Sequence, residues 1–149
     1  MPLLEIIGFT CTGYNFSVAY AFISHENQDT YAWVLRNLQY LFGGNVPEAI
    51  LTDRELGLIA ALRVVYPDVQ HMLCWVHVLR SCEEAALDYT SNPDKVTQYK
   101  SDCRGLFMSQ SEESFQRRKR GMYARWGQYK SLMAHLEGTW LAPYKTSIV

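Results

Sequence analysis

Pro47-Glu48-Ala49-Ile50-Leu51-Thr52-Asp53-Arg54-Glu55 carries a short apolar run into a polar stop, and a helical pattern starts straight after it. Ala49-Ile50-Leu51 has the composition of a short buried strand. Leu58, Ile59, Leu62 and Val65 then recur at the spacing of a buried helical stripe. A strand feeding directly into a helix is the building unit of an α/β sheet, and such sheets present functional groups at the carboxyl ends of their strands. Asp53 stands at that position. Two readings of it are open. Thr52-x-x-Glu55 is a capping-box pattern, so Thr52 or Asp53 can start the helix and do no chemistry. Alternatively, Asp53 is a metal-binding carboxylate. Phosphoryl transfer on nucleic acid often uses two metal ions, and Mg²⁺ takes oxygen ligands. One Asp cannot hold such a pair. Glu5 falls near the start of its strand, remote from the carboxyl end, while Glu26 and Asp29 fall on a loop and a helix start, where they suit the surface.

Working outward, residues 3–11 read as a mostly apolar strand covered on both faces, and residues 16–23 as a second strand rich in Val, Tyr and Phe. The short connection through Gly13 predicts an antiparallel hairpin. Asn27 is a helix cap with Asp29 in the first turn, and Tyr31, Val34, Leu35, Leu38, Leu41 and Phe42 follow at helical spacing. Gly43-Gly44-Asn45 ends that helix. Tyr66-Pro67-Asp68 closes the helix after Asp53, and residues 69–74 form one more strand. From Trp75 onward the chain is helical, with a break at Asn92-Pro93. Residues 94–136 give further helical pieces, and residues 138–144 a coil or turn. The expected fold class is α/β: a mixed sheet in the order β-β-α-β-α-β over residues 1–80, then a mostly helical region over residues 81–149.

Composition bounds the function. With 149 residues, 48% of them hydrophobic, the chain can bury one modest core but not two ordinary ones. A net charge of -1 supplies no global basic field for nucleic acid. No stretch is long and apolar enough for a membrane span. Cys11, Cys74, Cys82 and Cys103 do not have the spacing of a disulfide scaffold, so a reducing, intracellular compartment is expected. Cys74-Trp75-Val76-His77, with His71 just before it, has chelate-like spacing suited to zinc, but no second ligand pair lies nearby. A buried thiol at Cys74 and a satisfied histidine at His77 are the alternative. Arg117-Arg118-Lys119-Arg120 can touch DNA phosphates or form a solvated helix surface, because four successive charges cannot share one helix face.

Taken together, these motifs resemble the transposase domain of Mutator-like elements (MULE), to which FAR1/FHY3-type transposase-derived proteins are related. The resemblance is carried by Pro2-Leu3-Leu4-Glu5-Ile6-Ile7-Gly8, Phe16-Ser17-Val18-Ala19-Tyr20-Ala21-Phe22, Glu26-Asn27 before Tyr31-x-Trp33, Ile50-Leu51-Thr52-Asp53-Arg54-Glu55, Tyr66-Pro67 through His71-x-x-Cys74-x-x-His77, and Thr139-Trp140-Leu141-x-Pro143-Tyr144-Lys145. It implies an RNase H-like core, DNA cleavage and strand transfer with Mg²⁺ or Mn²⁺, transposon-end DNA as partner, and a nuclear location. Asp53 matches the second acid of a DDE triad, and Cys74 and His77 match the family's C-x-x-H element. The first acid belongs to a strand before Pro2, and the third follows the Trp-Leu-x-Pro-Tyr-Lys segment. Glu137 precedes that segment and is not the third acid. The resemblance therefore implies the middle of a catalytic domain, a partial RNase H-like core without its first strand, inactive alone. The alternative is a DNA-associated regulatory or protein-interaction module. Loss of an interior strand would also expose apolar edges, which predicts poor solubility or self-association.

Overall fold

The computed structural model describes residues 1–144, 147 and 148. The chain forms two compact units: residues 1–49 with 55–70, and residues 50–54 with 71–149.

The first unit holds strands β1 (Leu3–Phe9) and β2 (Asn15–Phe22) and helices α1 (Gln28–Leu41) and α2 (Leu56–Val65). The strands form the expected antiparallel hairpin, from Leu3 opposite Phe22 to Phe9 opposite Asn15, with an irregularity between Ile6 and Ile7. The Asn27 side chain accepts a hydrogen bond from the Thr30 amide (3.0 Å) and caps α1, as its sequence position predicts. Gly43 and Gly44 end that helix with φ of 61° and 82°, a conformation in which a Cβ would be strained. Tyr31, Ala32, Val34 and Leu35 of α1 and Leu58, Ile59, Ala61 and Leu62 of α2 are buried where the two helices pack. Leu41 and Phe42, expected in the same stripe, are exposed at the helix end. The Tyr66 hydroxyl donates to the Leu35 carbonyl (3.3 Å), and burial pushes its pKa up.

The second unit holds β3 (Ala49–Thr52, entering from the first unit), β4 (Gln70–Leu73), α3 (Trp75–Leu87), α4 (Pro93–Phe107), α5 (Glu112–Trp126), α6 (Lys130–Leu136), a π-helical turn (Glu137–Leu141) and the short α7 (Ala142–Tyr144). The Asn92-Pro93 break starts α4: Asn92 caps it by accepting from the Asp94 amide (2.9 Å), and Pro93 occupies the first turn, where its missing N–H costs nothing. Ser111 and Ser114 form a reciprocal capping box at the start of α5. Tyr99, Leu106, Leu132, Leu136, Val78, Cys82 and Cys103 are almost fully buried and make the core of this unit. Tyr99 meets Trp126 edge-on, ring centroids 5.3 Å apart, and the Asp102 carboxylate ties α4 to α5 by accepting from the Trp126 indole (2.8 Å) and Arg125 (2.6 Å).

Three expectations are corrected. The strands pair as two two-stranded sheets, β1 with β2 and β3 with β4, and not as one mixed sheet. A shared sheet needs a strand bridging the two pairs, and among the described residues none does so; Leu73 gains only an isolated parallel bridge to Ile148. The strands are also not covered on both faces. Leu3, Ile7 and Phe9 of β1 are exposed and Leu4 and Ile6 half-buried, and in β3 Leu51 is exposed, since a two-stranded ladder has no neighbouring layer over its second face. Finally, residues 138–144 are helical and not a coil. Trp140, Leu141 and Tyr144 are buried, and the Ala142 amide reaches back five residues to the Glu137 carbonyl. The π turn inserts the extra residue that this wide repeat needs.

Candidate functional site

Asp53 follows β3 directly. The helix after it starts at Leu56, and its cap is Glu55, whose carboxylate accepts from the Leu58 amide. Neither Thr52 nor Asp53 fills the capping role that the local pattern permits. The Asp53 side chain is exposed and takes no hydrogen bond or ion pair among the described residues. Its neighbours, by contrast, are both held. The Thr52 carbonyl accepts from the Cys74 amide (2.8 Å), and the Thr52 hydroxyl meets Nε2 of His71 at 2.8 Å. That hydroxyl also donates to the Asp53 carbonyl (2.6 Å). A hydroxyl has one proton, so in this arrangement Nε2 of His71 is the donor. On the other side, the Arg54 guanidinium lies 5.4 Å from the Trp140 ring centroid and 5.8 Å from that of Tyr144.

The C-x-x-H element sits where β4 becomes α3. Cys74 is the residue before the helix and makes no side-chain cap bond, while His77 is exposed in the first turn. His71 is engaged with Thr52 as above. Among the described residues, no group of three or more His, Cys, Asp or Glu side chains could hold a metal ion. The turn carries two carboxylates, Asp53 and Glu55, and that of Glu55 is engaged with the Leu58 amide, whereas a hard divalent cation takes several oxygen ligands. Cys82 and Cys103 do not join Cys74 and His77. They face each other inside the second unit from α3 and α4. Burial first, and the Cys82 thiol second, push the Cys103 thiol well up, so it stays protonated and is a poor metal ligand. Burial likewise pushes up the pKa of Tyr99, whose hydroxyl lies beside these thiols without a well-formed hydrogen bond.

The basic run lies on α5 and its members point apart, as helical geometry requires. Lys119 is paired with Glu137 (2.8 Å), and Tyr123 donates to the same carboxylate (3.1 Å). Desolvation first, then the Glu137 charge, push the Tyr123 phenol up. Arg118 lies over Gly105 of α4, where a Cβ would come 2.5 Å from its Nη1. Arg117 and Arg120 are exposed. Glu137 is thus occupied as an ion-pair partner. Lys145, the last residue of the C-terminal motif, lies outside the described residues.

The family description "MULE transposase domain" matches residues 1–81, which includes Asp53, Cys74 and His77. The chain belongs to the MULE transposase domain family. Curated relatives of this MULE chain include Protein FAR1-RELATED SEQUENCE 2 of Arabidopsis thaliana, 26% identical over 125 residues that are 84% of this chain and 15% of the relative. Protein FAR1-RELATED SEQUENCE 4 of the same plant is 29% identical over 118 residues, 79% of this chain and 16% of the relative. The MULE chain therefore spans about a sixth of the length of these transposase-derived relatives. PKS-NRPS hybrid synthetase cheA of Chaetomium globosum is 31% identical over 84 residues, but these are 2% of that protein, and its name carries no reading of the MULE chain.

The residues that sequence reasoning passed over are Arg54, Trp140 and Tyr144. Their signal was present: Arg54 adjoins Asp53 in the motif, and Trp140 and Tyr144 are an i, i+4 aromatic pair. Reading their segment as coil hid that spacing.

Proposed function

We propose that this chain is derived from a DDE-type DNA transposase with an RNase H-like core, that Asp53 occupies the position of the second acid, and that residues 1–149 do not cleave DNA by themselves. The observation that carries the reading is the state of Asp53 at the end of β3. It is exposed, it is not spent on capping α2, and it belongs to no group of three or more His, Cys, Asp or Glu side chains that could hold a metal among the described residues. A carboxylate in this state is placed for metal chemistry but lacks the co-ligands that Mg²⁺ or Mn²⁺ would need. Transposon-end DNA is the partner in this reading, and the nucleus its location. The test is incubation of the purified chain with supercoiled plasmid and Mg²⁺ or Mn²⁺. No nicking above the metal-free control is expected. Metal-dependent nicking that disappears in Asp53→Ala would overturn the proposed inactivity.

A second reading, a transposase-derived DNA-associated or protein-interaction module, is favoured by a separate observation. One face of the β1–β2 hairpin leaves Leu3, Ile7, Phe9 and Phe22 exposed, an apolar surface suited to association, including self-association. A sequence-selective mobility shift or a stable nuclear partner of the purified chain distinguishes this reading from the first.

A further inference from the structure

The Asp53 side chain makes no hydrogen bond or ion pair among the described residues, yet the residue on each side of it is fixed, and the two restraints differ in kind. Thr52 is held by hydrogen bonds to Cys74 and His71. Arg54 is held by two aromatic rings, those of Trp140 and Tyr144, whose centroids are 6.5 Å apart with planes tilted by 53°. Both rings are nearly buried, at 3% and 8% exposure, so they are fixed surfaces and not mobile side chains. The π-helical turn followed by α7 presents them together to the one guanidinium. Trp140 adds a second sign. Its indole N–H is buried with no hydrogen-bond partner among the described residues, a cost that a leucine or phenylalanine at this place would avoid. What those residues cannot supply is the wide electron-rich face that makes Trp the strongest ring partner for a cation.

We propose that Arg54, Trp140 and Tyr144 form a cation–π clamp that fixes the backbone on the carboxyl side of Asp53, so that Trp140 and Tyr144 are positioning residues for that carboxylate. The functional meaning of the clamp rests on the reading of Asp53 as the family's acid; the clamp itself does not. It also gives a role to the Trp-Leu-x-Pro-Tyr segment, distant in sequence from Asp53. The Thr52 hydrogen bonds and the Arg54 clamp then act as the two ends of one fixed turn.

The test is amide hydrogen exchange of Cys74, which donates to the Thr52 carbonyl, and of the β3–β4 pair in the full chain, comparing Arg54→Gln and Arg54→Lys with the unmodified protein, without metal or DNA. Arg54→Gln keeps much of the side chain but removes the charge, and it should speed exchange at these amides by about tenfold, the scale of two rings acting on one guanidinium. Arg54→Lys keeps a cation over the rings and should retain most of the protection. Amides of α4 and α5 serve as the internal control and should not change. Trp140→Phe, which keeps a ring, should lie between the unmodified protein and Arg54→Gln. Unchanged exchange in Arg54→Gln, equal effects of Gln and Lys, or a matching rise in α4 and α5 would each overturn the clamp. Because no step requires catalysis, failure here is distinct from failure of the Asp53 assignment, which the nicking assay reads.

Discussion

At the residue scale, the two carboxylates of the Asp53–Glu55 turn separate by role. Glu55 accepts from the Leu58 amide and starts α2; Asp53 makes no such bond. Removing a capping side chain typically costs about 1 kcal/mol. Glu55→Ala should therefore lower the unfolding free energy measured in urea by about that much, while Asp53→Ala should leave it within error. Equal destabilisation by both would return Asp53 to the capping role. The capping-box pattern points to Thr52 or Asp53 as the cap with Glu55 completing the box; the cap is Glu55 itself, because the choice depends on where the first helical turn begins, and the chain is still extended at Glu55. The chemical identity of the turn was legible in sequence, and its allocation of roles was not.

At the level of elements, packing between helices decides what substitutions cost. Gly57 in α2 lies against the start of α1: a Cβ built on it comes 3.1 Å from the backbone of Asn27 and Gln28. Backbone atoms at a capped helix start cannot step aside as a flexible side chain can, so Gly57→Ala should destabilise the chain by about 1–3 kcal/mol despite its better helix propensity. Chemical denaturation measures this, and a stabilised Gly57→Ala variant would show that the two helices can separate freely. On α5, the basic run divides by partner. Lys119 is committed to Glu137, whereas Arg117 and Arg120 are exposed. If α5 meets DNA phosphates, Arg117→Ala and Arg120→Ala should each reduce the salt dependence of binding by about one counterion. A fluorescence titration across salt concentrations checks it. A slope changed by Lys119→Ala alone would reverse the assignment. Between α3 and α4, burial raises the Cys103 thiol above its ordinary value of 9.0. Above that pH the unfolded chain loses the thiol proton while the folded chain keeps it, so the folded state binds more protons. Stability is fully present below about pH 9 and falls as pH rises from there. Cys103→Ala should flatten that fall in urea midpoints measured on either side of pH 9.

For the whole molecule, sequence periodicity located nearly every helix, and it identified the hairpin. It misjudged the strands because apolar content says what a strand can bury and not whether a second layer is there to bury it. Residues 3–11 look like a doubly covered strand, yet the exposed positions of β1 are Leu3, Glu5, Ile7 and Phe9. The pairing register sets Leu3 opposite Phe22, Glu5 opposite Tyr20 and Ile7 opposite Ser17, so these exposed side chains share one face of the hairpin. Its centre is polar, where the Ser17 hydroxyl donates to Glu5 (3.2 Å) and meets the Tyr20 hydroxyl (2.8 Å), and Asn15 lies opposite Phe9 at one end. Phe9 and Phe22 are 70% and 67% exposed at the two ends of that face, too much aromatic surface for an isolated chain to leave in water without consequence. A two-stranded sheet also has an open hydrogen-bonding edge on each strand. The chain should therefore self-associate, and sedimentation velocity should show species heavier than the 17.2 kDa monomer that grow with concentration. Phe9→Thr combined with Phe22→Thr changes only exposed positions and should shift the distribution towards monomer while leaving the helical circular dichroism intact. A monodisperse monomer with a cooperative melt for the unmodified chain would show that this face is tolerated in water, and would remove the apolar hairpin as an argument for an association module.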